Sequence, residues 1–191
     1  MANPIGTIIS STGRTIIELL KAEASFADGD IVMKSPVDAS TSAKVAMFLF
    51  QIEVNASLRN VAPEEVGVHG LRPPPLPLDL LYLFTPLSQD PDTALGHLES
   101  ILRVFHDHAV LAPPLLPQAL VDAGNDAIRI MPSTLSLEDT NRLWGMFPNK
   151  AYSLSMTYLV SPVRVPSARV TAVTRVVEKI TRVHQTGGSA P

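Results

Sequence analysis

The chain reads as an α+β domain, a mixed and mainly antiparallel sheet with helices packed on it. Three observations predict this. Two long strand-like runs, Val45 to Val54 and Leu76 to Phe84, are rich in β-branched and aromatic residues. Two further runs, 4–24 and 90–105, carry apolar residues at spacings near 3.6, the mark of one-sided helices. The strands cluster rather than alternating regularly with helices, which disfavours a parallel α/β sheet.

Taken in order, Asn3-Pro4 suits a helix cap and first turn, and Ile5, Ile8, Ile9, Thr12, Ile16, Leu19 and Leu20 predict a helix over about 4–24. Gly6 and Gly13 each weaken it by up to about 1 kcal/mol relative to Ala. Asp28-Gly29-Asp30 turns into a short strand at Ile31-Val-Met, and the Ser/Thr/Asp-rich stretch 34–43 reads as a loop. Val45–Val54 is so nearly unbroken in apolarity that burial on both faces is expected. Residues 55–75, with Pro63, Gly67, Gly70 and Pro73-Pro-Pro75, form a long irregular connection. Pro75 and Pro77 put the start of the next strand at an edge or outside the sheet.

Asp90-Pro91-Asp92 opens a helix whose stripe is Ala94, Leu95, Leu98, Ile101, Leu102 and Phe105, and Pro113, Pro114 and Pro117 stop it from continuing. Ile128–Met131 is a short strand ended by Pro132. Ser136-Leu-Glu-Asp139 resembles a capping box opening a helix through Leu143 and Trp144. Tyr152, Leu154, Met156 and Tyr158 alternate with polar residues, as in a half-exposed strand. Val165 and Val170–Val177 have strand-like content, but Pro162 and Pro166 interrupt continuation from 151–160.

At 191 residues the chain suits one domain, or one domain with an extension, and is long enough to bury a sizeable core. It has no cysteine, which excludes disulfides and thiolate metal sites and fits assembly in a reducing cytoplasm. No secretory leader or bilayer-length apolar run is read, so a soluble protein is expected. Net charge is −3, unevenly spread. Residues 1–161 hold 10 Lys/Arg against 17 Asp/Glu, a balance of −7, whereas 162–191 hold five Arg/Lys against Glu178 alone, a balance of +4. A basic tail on an acidic body suits contact with an acidic surface. The expected division is a body at 1–165 and a basic extension at 166–191, a candidate assembly arm.

Groups that carry chemistry are sparse. His106 and His108, two apart on a helix, point in different directions, unlike the four-residue spacing of a helical metal pair, and histidine is favoured at a helix C-terminus. No phosphate-loop spacing or nucleophile elbow occurs. Glu64-Glu65 and Glu138-Asp139 read as solvent-facing pairs. An acidic body with 5% aromatic residues disfavours nucleic-acid binding. No catalytic residue, cofactor, metal or membrane partner is expected. Asn55, Arg59 and Asn60 are the one dense polar group in an apolar context, either turn-forming or, with Leu58, part of a subunit contact.

Five segments together resemble the cap, or tube and sheath terminator, proteins of phage-tail-like contractile injection systems, in their N-terminal domain. They are Phe48–Asn60, Pro74–Pro86, Leu95-Gly96 through His106-Asp107-His108 to Leu111, Leu135–Trp144 and Tyr152–Tyr158, which in order cover about residues 3–165. The resemblance implies a structural, non-enzymatic role: a homohexameric ring, assembled in the cytoplasm, that binds the last inner-tube and sheath rings at the baseplate-distal end and stops polymerisation. Longer relatives carry a further C-terminal domain, whose function is not carried over. On this reading Asn55, Leu58, Arg59, Asn60, Arg164, Arg169, Arg175 and Lys179 are the candidate assembly contacts. The rival is a small-molecule-binding or enzymatic α+β domain using loop 55–75 with His106 and His108.

Overall fold

A computed structural model describes residues 8–67 and 70–172. The expected cap at Asn3-Pro4 and the extension beyond Ala172 lie outside them. The elements are α1 (Ile8–Ala24), β1 (Ile31–Val32), β2 (Val45–Val54), β3 (Glu64–Val66), β4 (Gly70–Arg72) and β5 (Leu76–Pro86). There follow α2 (Pro91–Asp107), β6 (Val110–Leu111), α3 (Gln118–Asp122), β7 (Ile128–Ser133), α4 (Leu137–Gly145), β8 (Met156–Val165) and β9 (Thr171–Ala172).

Six strands form one sheet in the order β1-β2-β5-β8-β7-β6, antiparallel except for the β1–β2 pair. The fold is therefore α+β with a mixed, mainly antiparallel sheet. A second sheet joins β3, β4 and β9. Helices α1, α2 and α3 cover one face of the large sheet, where Ile16, Leu20, Ile101, Phe105 and Leu120 meet Leu80, Tyr82, Phe84, Ile130 and Val160. Phe84, Phe105 and Tyr158 pack edge to face there. Helix α4 and the turn after it cover part of the other face, setting Leu143, Trp144 and Phe147 against Leu83, Phe48 and Phe50.

Helix starts follow the capping chemistry. Asp90 accepts from the Thr93 amide at 2.9 Å, with Pro91 in the first turn of α2. Ser136 accepts from the Asp139 amide at 3.1 Å and donates its hydroxyl to the Asp139 carboxylate at 2.6 Å. Gly13 turns out to be a point of close approach: a Cβ there would stand 2.5 Å from Met33 Sδ and 3.4 Å from the Tyr82 hydroxyl.

Several strand expectations need correction. β2 is not buried on both faces; Val45–Met47 are buried, but Gln51–Val54 are exposed because the helices stop short of them. The alternating stretch at 152 becomes strand only from Met156, and Tyr152 instead packs edge to face against Trp144. β8 does not stop before Pro162; it runs to Val165, passing Ser161 and Pro162 opposite a register shift at Asp79.

Proline neither ends β7 nor puts the start of β5 at an edge or outside the sheet. Pro132 lies inside β7 opposite Tyr158. Ile130 donates its amide to Ala109, so the position two residues on turns its missing donor to the same side, where β6 pairs no further than Val110 with Arg129. Pro77, within the central strand β5, accepts from the Asn55 amide just past the last β2 pair, Val54 with Leu78. Its missing donor falls where the ladder has already ended.

Candidate assembly surface

The polar group at 55–60 sits where β2 leaves the sheet. Asn55 ends the strand and caps a 3-10 turn at Ala56–Leu58 by accepting from the Ser57 amide at 3.1 Å. Its side-chain amide donates to Asp79 Oδ1 at 3.0 Å. The same oxygen accepts the Ser161 hydroxyl at 2.5 Å. Asn55, Asp79 and Ser161 thus tie three neighbouring strands at the place where the β5–β8 register shifts. Asp79 and Ser161 were not singled out in the sequence; the lone carboxylate inside the apolar run Leu78–Leu83 was the available signal.

Leu58, Arg59 and Asn60 are exposed beyond this lock. Apart from the Leu58 and Arg59 backbone amides, which donate to the Asn55 and Ala56 carbonyls and close the turn, they reach outward from a fixed base. The stretch expected to be irregular contains the β3–β4 pair, Glu64 with Arg72 through Val66 with Gly70. β9 adds to it, pairing Leu71 with Thr171 and Gly70 with Ala172.

The structure separates the basic candidates. Arg164 is tied inward: its amide donates to Asn125 Oδ1 at 2.7 Å and its guanidinium to the Gly124 carbonyl at 3.1 Å, so it pins the loop after α3 to the end of β8. Asn125 is fully buried and also donates to the Leu120 carbonyl. Arg169 is exposed. Arg175 and Lys179 lie outside the described residues.

Among the described residues, no group of His, Asp and Glu could hold a metal ion, and no helix is long and apolar enough to cross a membrane. His106 is exposed on α2, whereas His108 caps the helix and points Nε2 at Glu23, 3.7 Å away. A third histidine, His97, lies earlier on α2. It packs on Phe26 with ring centres 5.8 Å apart, and its Nδ1 is buried without a hydrogen-bond partner. Burial first, then the nearby Lys44, pushes its pKa below the usual imidazole range, against the opposing pull of Asp30. Asp30 pairs with Lys44 at 2.7 Å, and that bond holds its carboxyl below the usual range.

The two ends of the large sheet differ. β1 covers only Val45 and Ala46 of β2, and among the described residues nothing pairs with the outer edge of β2 from Met47 to Val54. At the other end β6 covers Ile128 and Arg129 of β7, and Pro132 blunts what remains. Shallow, mostly apolar grooves border the open edge. One of about 450 Å³ lies between α1 and β2, lined by Ile9, Met33, Phe48 and Leu49. Another of about 440 Å³ lies between Phe50, Gln51 and α4.

Residues 11–179 match the family model of the Pvc16 N-terminal domain. The chain belongs to that family. The matched span takes in every candidate contact from Asn55 to Lys179. No curated protein matches the chain. Among solved structures, the fold is similar to the sheath/tube terminator of PVC, an extracellular contractile injection system, in its extended state, with a TM-score of 0.69 and 20% identity. It is also similar to the anti-feeding prophage cap, a tube-terminating cap, with a TM-score of 0.65 and 19% identity. Those matches cover 95% and 90% of this chain but only 65% and 60% of the two structures, so this family member spans less than two thirds of either.

Proposed function

We propose that the protein is a structural cap that ends the tube and sheath of a contractile, phage-tail-like injection particle. The observation that carries the reading is the similarity of the fold, over 95% of the chain, to a sheath/tube terminator. Family membership supports a structural role over the ligand-binding or enzymatic alternative. On this reading the chain assembles in the cytoplasm as a homohexameric ring and seats on the last tube and sheath rings.

The two sheet ends suit that task. A growing tube recruits subunits through complementary surfaces, and a terminator must match that end without offering a copy of it. An open β2 edge at one end and a proline-blunted β7 edge at the other give such one-way behaviour. Leu58, Arg59 and Asn60, on their locked base, and Arg169 supply candidate contacts to neighbours, tube or sheath. The basic segment 166–191 acts as an assembly arm extending from the body at 1–165.

The test is deletion followed by electron microscopy. Particles should lose uniform length or integrity at one end; particles normal in number, length and integrity would overturn the reading. Light scattering on the purified protein should give a discrete ring, and a monomer stabilised by a small ligand would favour the rival.

A further inference from the structure

The helix-covered face of the large sheet is left bare at one corner. In an antiparallel pair, residues directly opposite share a face. Ile52 lies opposite Leu80, and Val54 opposite Leu78. Leu80 and Leu78 are buried under the helices at 0% and 6% exposure, yet Ile52 and Val54 stand 49% and 45% exposed. Leu76, two residues before Leu78 and so on the same face, is 47% exposed. Together they form an apolar shelf continuous with the core and covered by nothing among the described residues. Exposed acidic residues lie on β3: Glu64 stands opposite Arg72, at the end of β4 that leads toward Leu76, and Glu65 follows it.

The segment that follows β9 has the complementary character. Its β-branched content suits a strand, but Val173, Val176, Val177, Ile180 and Val183 recur every three or four residues, so a helix through them would carry all five on one face. Arg175, Lys179 and Arg182, against Glu178 alone, fall between them. The direction of β9 bears on whose shelf it meets. β4 leads toward Leu76, and β9 is antiparallel to β4, so at Ala172 the chain is heading away from its own shelf toward the β3–β4 turn.

We infer that the shelf formed by Ile52, Val54 and Leu76 receives residues 173–183 of a neighbouring copy, apolar side down and basic side toward Glu64 and Glu65. Every copy then gives one segment and accepts one. That is a heterologous contact, which closes into a ring when the rotation allows. The inference rests on the ring reading and names the contact that joins its subunits.

A chain without cysteine makes the test clean. In the variant carrying both Ile52→Cys and Val177→Cys, mild oxidation should give a ladder of covalent multimers on a non-reducing gel, absent from either single variant. A crosslink that leaves a monomer would put the segment on its own shelf and overturn the neighbour assignment. No crosslink would overturn the docking altogether. Independently, Ile52→Glu with Val54→Glu, at exposed positions that leave the fold intact by circular dichroism, should weaken self-association by about tenfold or more; unchanged association would overturn the proposal. Failure of the ring reading is separable, because light scattering on the unmodified protein and microscopy of particles decide it without the shelf.

Discussion

Asn55 and Asp79, 24 residues apart, are joined at 3.0 Å where β2 leaves the sheet and where β5 and β8 slip register. One oxygen of Asp79 also accepts from Ser161, so a single carboxylate fixes the point from which Leu58, Arg59 and Asn60 project. A polar residue that makes such bonds organises the surface from within, whereas its neighbours are available to touch a partner.

The first prediction separates these roles. Asn55→Ala removes the cap on the 3-10 turn and leaves Asp79 short of a donor, so stability should fall by about 1–2 kcal/mol. Arg59→Ala should leave stability within about 0.5 kcal/mol while weakening ring or tube association. Denaturant midpoints and light scattering on both variants check this; an unfolded Arg59→Ala with no separate assembly defect would make Arg59 structural.

Gly13 gives a second. A Cβ there meets Met33 Sδ, the flexible end of an exposed side chain, so Gly13→Ala should change stability by less than about 1 kcal/mol as the helix gains propensity. Gly13→Leu must also displace the Tyr82 hydroxyl and the Met47 methyl, in a packed core, and should cost about 1–3 kcal/mol. Equal thermal midpoints for the two variants would contradict this.

The third concerns pH. His97 is depressed below its unfolded pKa of about 6.5. Between the two values the unfolded chain holds the extra proton, so stability is full above about 6.5 and declines as pH falls through that window. The Asp30–Lys44 pair runs on a lower scale: with the Asp30 carboxyl depressed, its contribution persists above about 3.9 and is lost only as pH falls through the folded pKa. Urea midpoints at pH 7.5 and 5.5 should therefore differ less in His97→Gln than in the unaltered protein, and equal differences would count against this account of His97.

A fourth addresses the extension. Arg164 and Val165 belong to β8, and Thr171 and Ala172 pair with β4, so a truncation that spares the fold falls after Ala172. That variant should remain folded but assemble poorly, and full-length rings should loosen as salt rises, because exposed charges are screened beyond ~8–10 Å. Salt-insensitive rings from the truncated chain would deny the arm a role in assembly.

What the sequence determined by itself was local. The stripes of α1 and α2, the caps at Asp90 and Ser136, the strands at 45–54 and 76–84 and the scarcity of catalytic groups all follow from spacing and side-chain chemistry a few residues wide. Ordered segments between Phe48 and Tyr158 also carried the likeness to the terminator caps. Tertiary structure decided the rest. Whether Pro77, Pro132 and Pro162 end a strand depends on which neighbour stands opposite the missing donor, and that neighbour comes from elsewhere in the chain. An apolar run reads alike whether its faces are covered or bare, so Ile52 and Val54 read as core until the helices proved too short to reach them. The lock at Asp79 joins residues from 55 to 161, a distance no local pattern spans. The contact surface is set in the same way, because exposure is a property of what packs against a residue rather than of the residue.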